Sequence, residues 1–370
     1  MWFSRGPCGA LTARVFSVRF ELAMRPLPLR NPANPWRKEQ VSYDGDPPSA
    51  EYTVFEDQTR EILSNNDSPD LGFRYSINPY RGCLHGCAYC YARPSHEYLG
   101  FGAGADFERK LVVKLNAARL LREAFEKQSW AGELILFSGN TDCYQPLEAS
   151  YGLTRACLDV CREYKNPLHI ITKSALVERD AELLSDLAAI GSASVTLTVP
   201  FWDPAVARAI EPLVPTPQRR METVRRLTER GIPVSVNIAP LIPGLSDRDI
   251  VPVLEAAHAA GAVSAAMIPL RLPGNVEAVF VERLREAFPL SADKVLARVR
   301  EMRGGKLNDP RFGSRMKGEG PYIDAVRLLF EQTARRLGLG TREVGLDAEA
   351  PARASTFQRP TDRGGQLRLF

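Results

Sequence analysis

Apolar and polar positions follow two rhythms along most of this chain. Short β-type apolar runs recur at 75–78, 134–138, 168–172, 194–199, 234–238 and 265–268. Between them lie stretches of helical length, 113–127, 151–164, 179–190, 216–230 and 247–260, with apolar residues three and four apart. Gly231 and Gly261 stand where a helix C-cap takes a left-handed residue. Six strands alternating with helices predict an α/β fold of parallel units joined right-handedly, with the helices outside. Periodicity alone leaves two architectures open, an open barrel and a doubly wound sheet. Both gather working residues at the C-terminal ends of the strands. The polar signatures fall there: 81–91 after the first run, 139–145 after the second, Lys173 after the third and 200–204 after the fourth.

The flanks read differently. Residues 1–72 are expected to form an extended, partly disordered leader, rich in Pro, Asn, Asp and Ser from 24 onward, with one strand-like run at 51–55. A core follows over 73–290 and a C-terminal extension over 291–360, basic and Gly-rich from Arg300 and helical over 322–337. Residues 361–370 form a flexible tail.

Composition narrows the class. Apolar residues at 44% and charged residues at 25% supply an ordinary globular core. No apolar run nears the roughly 18 residues of a membrane span, which argues against an integral membrane protein. The net charge of +4 is matched by residues 1–30 alone, where five Arg face the single Glu21, so bulk charge makes no case for nucleic acid. The Arg-rich, acid-poor stretch 1–23 imitates a transit peptide; the alternative is a start at Met24. Seven cysteines cannot all pair within one chain, and a reducing, cytoplasmic setting is expected.

Three of those cysteines share one loop. The string Arg81-Gly-Cys83-Leu-His-Gly-Cys87-Ala-Tyr-Cys90-Tyr91 has the spacing C-x3-C-x2-C, with Gly82 and Gly86 to curl the backbone. Three thiolates can hold three irons of a [4Fe–4S] cluster and leave the fourth open, the arrangement a catalytic centre needs. The alternatives are a zinc loop completed by His85 or His96, and buried free thiols.

This loop resembles the signature of the radical S-adenosylmethionine (radical SAM) superfamily, including the aromatic Tyr89 before the third cysteine. The longer string from Asn78 to Pro94, with His96, Glu97 and Gly139-Asn-Thr-Asp-Cys-Tyr-Gln-Pro-Leu-Glu148, resembles the radical SAM proteins labelled DNA repair photolyase, relatives of spore photoproduct lyase. The resemblance implies an open partial (β/α)6 TIM-type barrel for the core. It also implies that Cys83, Cys87 and Cys90 hold the cluster and that S-adenosylmethionine (SAM) chelates the fourth iron. Reductive cleavage of SAM would give a 5′-deoxyadenosyl radical, with electrons from a low-potential donor of the flavodoxin or ferredoxin type. DNA is a candidate substrate on this resemblance. A tailoring activity on a protein, RNA or small molecule is the rival among enzymes, and a non-catalytic Fe–S or zinc module the rival outside them.

Further site candidates carry explicit alternatives. Ser138, Gly139, Thr141 and Asp142 follow the second strand, where the superfamily places the segment that binds the methionyl amine; the alternative is a capped turn. Lys173 is a partner for the SAM carboxylate or a solvated surface lysine. Thr196 and Thr198 alternate with apolar neighbours and would face the lumen together, near SAM, or simply reflect β-propensity. Cys143 follows Asp142, whereas spore photoproduct lyase has its hydrogen-donating cysteine before the corresponding pair. It is a donor candidate or a small buried residue. Cys157 and Cys161 share a helix face and read as core. His85 is a candidate for tuning the cluster, and His96-Glu97 is an acid–base pair or a loop anchor. Residues 300–320 carry six basic side chains and are a candidate phosphate-binding loop or a solvated one. The terminal Gln366-Leu-Arg-Leu-Phe370 resembles the peptide by which bacterial proteins dock on the sliding clamp.

Overall fold

The structure is a computed structural model, and it describes residues 52–341 and 355–360. The Arg-rich start, Met24 and residues 361–370 with their Gln366-Leu-Arg-Leu-Phe370 motif lie outside the described residues. Six strands form its centre: β1 (Tyr75–Ile77), β2 (Ile135–Phe137), β3 (Leu168–Thr172), β4 (Ala193–Thr198), β5 (Val234–Leu241) and β6 (Ser264–Pro269). Each pairs in parallel with the next in chain order. Leu63–Asn65 adds an antiparallel strand outside β1, and Gly340–Thr341 a parallel one outside β6. The two ends of this order do not pair, so the barrel is partial and open.

Strand chemistry explains the two faces. In β4, Val195 and Leu197 are completely buried, while Ser194, Thr196 and Thr198 project from the other face. The same alternation in β5 buries Val234, Val236 and Ile238 and leaves Ser235 and Asn237 half-buried. Apolar side chains thus seat the outer helices and polar ones line the lumen. Across strands the polar face is bonded sideways: Thr196 and Ser194 hydroxyls meet His169 at 3.0 and 2.8 Å, and Ser235 meets Ser264 at 2.6 Å.

One predicted helix starts later than its periodicity suggested. The stretch 113–127 opens with the end of a strand, Lys110–Val113, and the helix proper is Ala117–Glu126. Leu111, Val112 and Val113 are buried between Thr53–Glu56 on one side and Tyr80–Arg81 on the other, in a separate three-stranded sheet. Pairing with distant partners outweighs local helical spacing here. The helix expected over 151–164 is likewise broken at Gly152 into Glu148–Tyr151 and Leu153–Glu163.

The flanking segments brace the barrel. After Leu63–Asn65 the chain reaches Asp70, whose carboxylate accepts from Gly313 N at 2.7 Å and from the Arg315 guanidinium. Arg303 donates to the carbonyls of Pro269, Leu270, Ser314 and Arg315 at 3.3, 2.7, 3.2 and 2.9 Å. Arg311 pairs with Asp309 at 2.9 Å. Arg303, Arg311 and Arg315 of the basic segment 300–320 are therefore bonded to the protein itself. Residues 355–360 lie across the N-terminal ends of β2 to β4: Gln358 N donates to Tyr164 O at 2.8 Å, Thr356 to Lys165 O at 2.7 Å, and Phe357 stacks on Tyr164. That face is opposite the strand ends where the polar signatures gather.

Candidate functional site

The cysteine loop leaves β1 through Tyr80–Arg81 of the side sheet and crosses the C-terminal mouth of the barrel. Gly82 takes φ 72°, and a Cβ there would stand 2.9 Å from Phe107 O, so the tight approach requires glycine. Its backbone is held at nearly every peptide. Gln145 donates to Gly82 O at 2.9 Å and accepts from Leu84 N at 3.1 Å. Cys83 N donates to Phe107 O, and Ala88 N to Ile210 O, at 2.9 and 3.0 Å. Arg93 is fully buried and clasps the loop from below, donating to Gly86 O and Cys87 O at 3.2 and 2.9 Å and to Ala103 O at 3.0 Å, with Glu108 as its ion partner.

These bonds fix the backbone and leave the three thiols to each other. Cys83 is raised well above its ordinary range by burial, then by Asp142, Cys90 and Cys87; the His85 amide pulls the other way. Cys87 is raised by burial and by Glu211, and Cys90 by burial against an opposing Ala92 amide. Two buried sulfurs and the half-buried one of Cys90, repelling one another as thiolates and with amides aimed at two of them, fit a cationic iron cluster well. Among the described residues no group of three or more His, Cys, Asp or Glu is placed to hold a single metal ion.

The loop after β2 meets this centre. Gly139 approaches β1 so closely that a Cβ would stand 2.6 Å from Ser76 Cβ. Ser138 is held at φ 75°, unusual for a residue with a side chain, and its Oγ accepts from Cys143 N at 2.9 Å. Asp142 accepts from Thr172 Oγ1, Lys173 N and Tyr144 N at 2.7, 2.8 and 2.9 Å and lies 3.4 Å from His85 Nδ1. Burial alone would raise its carboxyl, but His85 and the Lys173 and Thr172 donors outweigh that and bring it to about 2. Thr141 is turned to the backbone, donating to Tyr80 O at 2.9 Å and accepting from Asn78 at 2.8 Å.

Lys173 departs from a solvated surface lysine. Its ammonium lies 5.6 Å from the centre of the Tyr89 ring. Burial alone would lower it, but Cys87, Glu211, Asp142 and Cys90 raise it above its ordinary range. Beneath Tyr89 is a network without a sequence signature. The Tyr89 hydroxyl donates to Glu211, and Glu211 pairs with Arg220 at 2.7 Å, neither of the paired side chains exposed. Arg220 also donates to Thr198 O at 2.7 Å, tying the end of β4 to the cysteine loop. Thr196 and Thr198 share a face, as their alternation predicts, but Thr196 bonds to His169 in the lumen.

Other expectations resolve into packing. Cys143 is fully buried in the main apolar core, its thiol raised by burial and then by Asp142. Cys157 and Cys161 are buried in the same core. His96 and Glu97 diverge: His96 is enclosed between the Phe101 and Phe107 rings, with burial lowering its pKa, while exposed Glu97 accepts from Asn275. They do not form an acid–base pair.

Known proteins match this geometry. The family model of the radical SAM superfamily matches residues 77–257. An uncharacterized protein of Mycobacterium tuberculosis (strain ATCC 25618 / H37Rv) is 35% identical over 262 residues, covering 70% of this chain and 76% of that protein. An uncharacterized protein of Methanocaldococcus jannaschii is 34% identical over 176 residues, 48% of this chain and 63% of that one. Among solved structures, spore photoproduct lyase complexed with dinucleoside spore photoproduct superposes with a TM-score of 0.53 at 16% identity, over 78% of this chain and 80% of that one. At that identity the likeness is one of fold. The chain belongs to the radical SAM superfamily, and it is an enzyme of that class. Membership implies a [4Fe–4S] cluster, SAM and a reductant partner. Among the described residues no helix is long and apolar enough to cross a membrane.

Proposed function

We propose that Cys83, Cys87 and Cys90 hold a [4Fe–4S] cluster, and that the enzyme uses SAM to abstract hydrogen from a nucleic-acid substrate. The observation that carries the first part is the cysteine loop itself: two buried thiols and the half-buried Cys90, mutually repelling, on a backbone locked by Gln145, Arg93 and Ile210. When bound, the cluster and SAM supply reductive cleavage to a 5′-deoxyadenosyl radical. The chain's own residues place and shield it. Ser138 and Gly139 offer the close backbone approach for the methionyl amine, and the half-buried ammonium of Lys173 is available to the carboxylate. Tyr89, Thr196 and Thr198 bound the space left for the nucleoside. Thr141 and Asp142 act by holding the loop after β2 in place. The nucleic-acid part rests on the dinucleoside bound by the structural neighbour and on exposed Tyr91 at the mouth.

Anaerobic reconstitution tests the assignment. About four irons per chain and dithionite-dependent 5′-deoxyadenosine are expected. Cys83→Ala, Cys87→Ala and Cys90→Ala should each abolish cluster assembly. Near-normal iron in any one of them overturns its role as a ligand, and stoichiometric zinc without SAM cleavage overturns the enzyme reading. Docking of Gln366-Leu-Arg-Leu-Phe370 on a bacterial sliding clamp has a separate test: a purified clamp should retain the full chain and lose one ending at Gly365.

A further inference from the structure

Arg271 lies two residues beyond β6, at the same mouth as the cysteine loop. Its Nη1 donates to the Met316 thioether at 3.0 Å, a weak acceptor, and its Nε is buried without a partner. No carboxylate among the described residues pairs with it. Arg303, 4% exposed, is bonded beside it to the Pro269 and Leu270 carbonyls, and Arg315 pairs with Asp70. Carbonyls satisfy donors without cancelling charge, so of three neighbouring guanidiniums only Arg315 touches a carboxylate. After burial, the charge of Arg315 is the main influence pushing Arg271 below its ordinary range, and burial and Arg271 bring Arg303 to about 10. Asp70 acts on Arg271, and Asp309 and Glu319 on Arg303, only through space, and a half-buried cation with no carboxylate bonded to it is costly to keep unless a ligand brings an anion.

Two exposed rings accompany these cations. Tyr91, the residue after Cys90, is 55% exposed at the same mouth, with its hydroxyl donating to Gly139 O at 3.3 Å. Phe312 is 60% exposed with the Arg315 guanidinium 4.3 Å over its ring. Flat exposed rings beside guanidiniums are what single-stranded nucleic acid uses, bases on the rings and phosphates on the cations. A small carboxylate ligand would have no use for the rings.

We propose that Arg271, backed by Arg303 and Arg315, is the phosphate anchor of a nucleotide substrate whose bases lie against Tyr91 and Phe312. The proposal rests on the nucleic-acid reading above and deepens it, because it says which side of the mouth the strand enters: between the cysteine loop and the C-terminal extension.

The test is fluorescence anisotropy with a labelled (dT)8 oligonucleotide on the reconstituted full chain, across a salt series. Arg271→Gln should weaken binding about tenfold and lower the salt slope by about 0.7, the share of one single-strand phosphate. Arg271→Lys, which keeps the charge but loses the planar fork, should fall between wild type and Arg271→Gln, and it serves as the test if Arg271→Gln does not fold. Arg300→Gln, an exposed cation of the same extension, should bind as wild type does. If wild type binds (dT)8 and neither Arg271 variant differs from it by more than about twofold, the anchor is overturned while the nucleic-acid reading stands. If wild type does not bind (dT)8, both fall. Arg271-dependent binding of poly-glutamate in place of (dT)8 overturns the phosphate assignment in favour of an acidic protein segment.

Discussion

At the scale of single residues, the pair Glu211–Arg220 does the most without touching the thiols. It holds the Tyr89 hydroxyl from below and the Thr198 carbonyl from the side, with both charged groups fully buried. Removing one partner of such a pair leaves the other charged in a low dielectric, a loss of about 3–5 kcal/mol. Glu211→Gln should therefore lower the melting temperature. It should also raise the cluster's reduction potential, because a negative charge beside Cys87 is lost. A potentiometric titration followed by EPR separates this from a purely structural role, which would leave the potential unmoved. Asp142 provides a pH signature. Its carboxyl, near 2 when folded against an ordinary 3.8, contributes stability that is complete above about pH 4 and disappears as the pH falls towards 2. The difference corresponds to about 2 kcal/mol. Thermal melts should show Asp142→Asn less stable than wild type near neutrality, with the gap closing below pH 4; a gap independent of pH would contradict the assignment.

At the scale of elements, the close approach of β1 and β2 sets the floor of the mouth. Gly139 meets Ser76 where a Cβ cannot fit without moving one strand, since Ser76 Cβ is joined directly to its backbone. Gly139→Ala should cost about 1–3 kcal/mol from overpacking. It should also weaken SAM binding by isothermal titration more than it lowers cluster content, because Gln145 and Arg93 hold the cysteine loop independently. Equal losses in both would mean that the two loops move as one body.

Across the whole molecule, the flanking segments brace both ends of the strands. Asp70 joins the leader to Gly313 and Arg315 of the extension at the mouth end, and residues 355–360 cross the opposite end. The lower strap is apolar as well as hydrogen-bonded: Phe357 packs on Phe125 and Tyr164, and Arg359 donates to Phe125 O and Lys127 O at 3.1 and 2.7 Å. A chain ending at residue 354 should melt at a lower temperature yet assemble the cluster normally, since the strap lies on the face away from Cys83, Cys87 and Cys90. Loss of iron on this truncation would show that the two ends of the barrel are coupled.

What the sequence determined by itself is what local spacing encodes. Alternation places Thr196 and Thr198 on one face of β4, helical spacing buries Cys157 and Cys161, and C-x3-C-x2-C sets three thiols within eight residues. Gly82 and Gly139 stand where a Cβ would crowd Phe107 O and Ser76 Cβ, and that requirement also shows as residue type. Only the tertiary structure decided pairings between groups far apart in the chain. Lys110–Val113 is a strand because Thr53–Glu56 and Tyr80–Arg81 flank it. Tyr89 meets Glu211 across 122 positions, and half-buried Lys173 meets the cysteine loop at the Tyr89 ring. His96 and Glu97 part because one neighbour faces the aromatic cluster and the other the solvent. A buried charge has no local pattern of its own. Its stability depends on a partner that chain folding alone brings near, so Glu211, Arg220 and Arg271 carry no signal in the sequence that marks them.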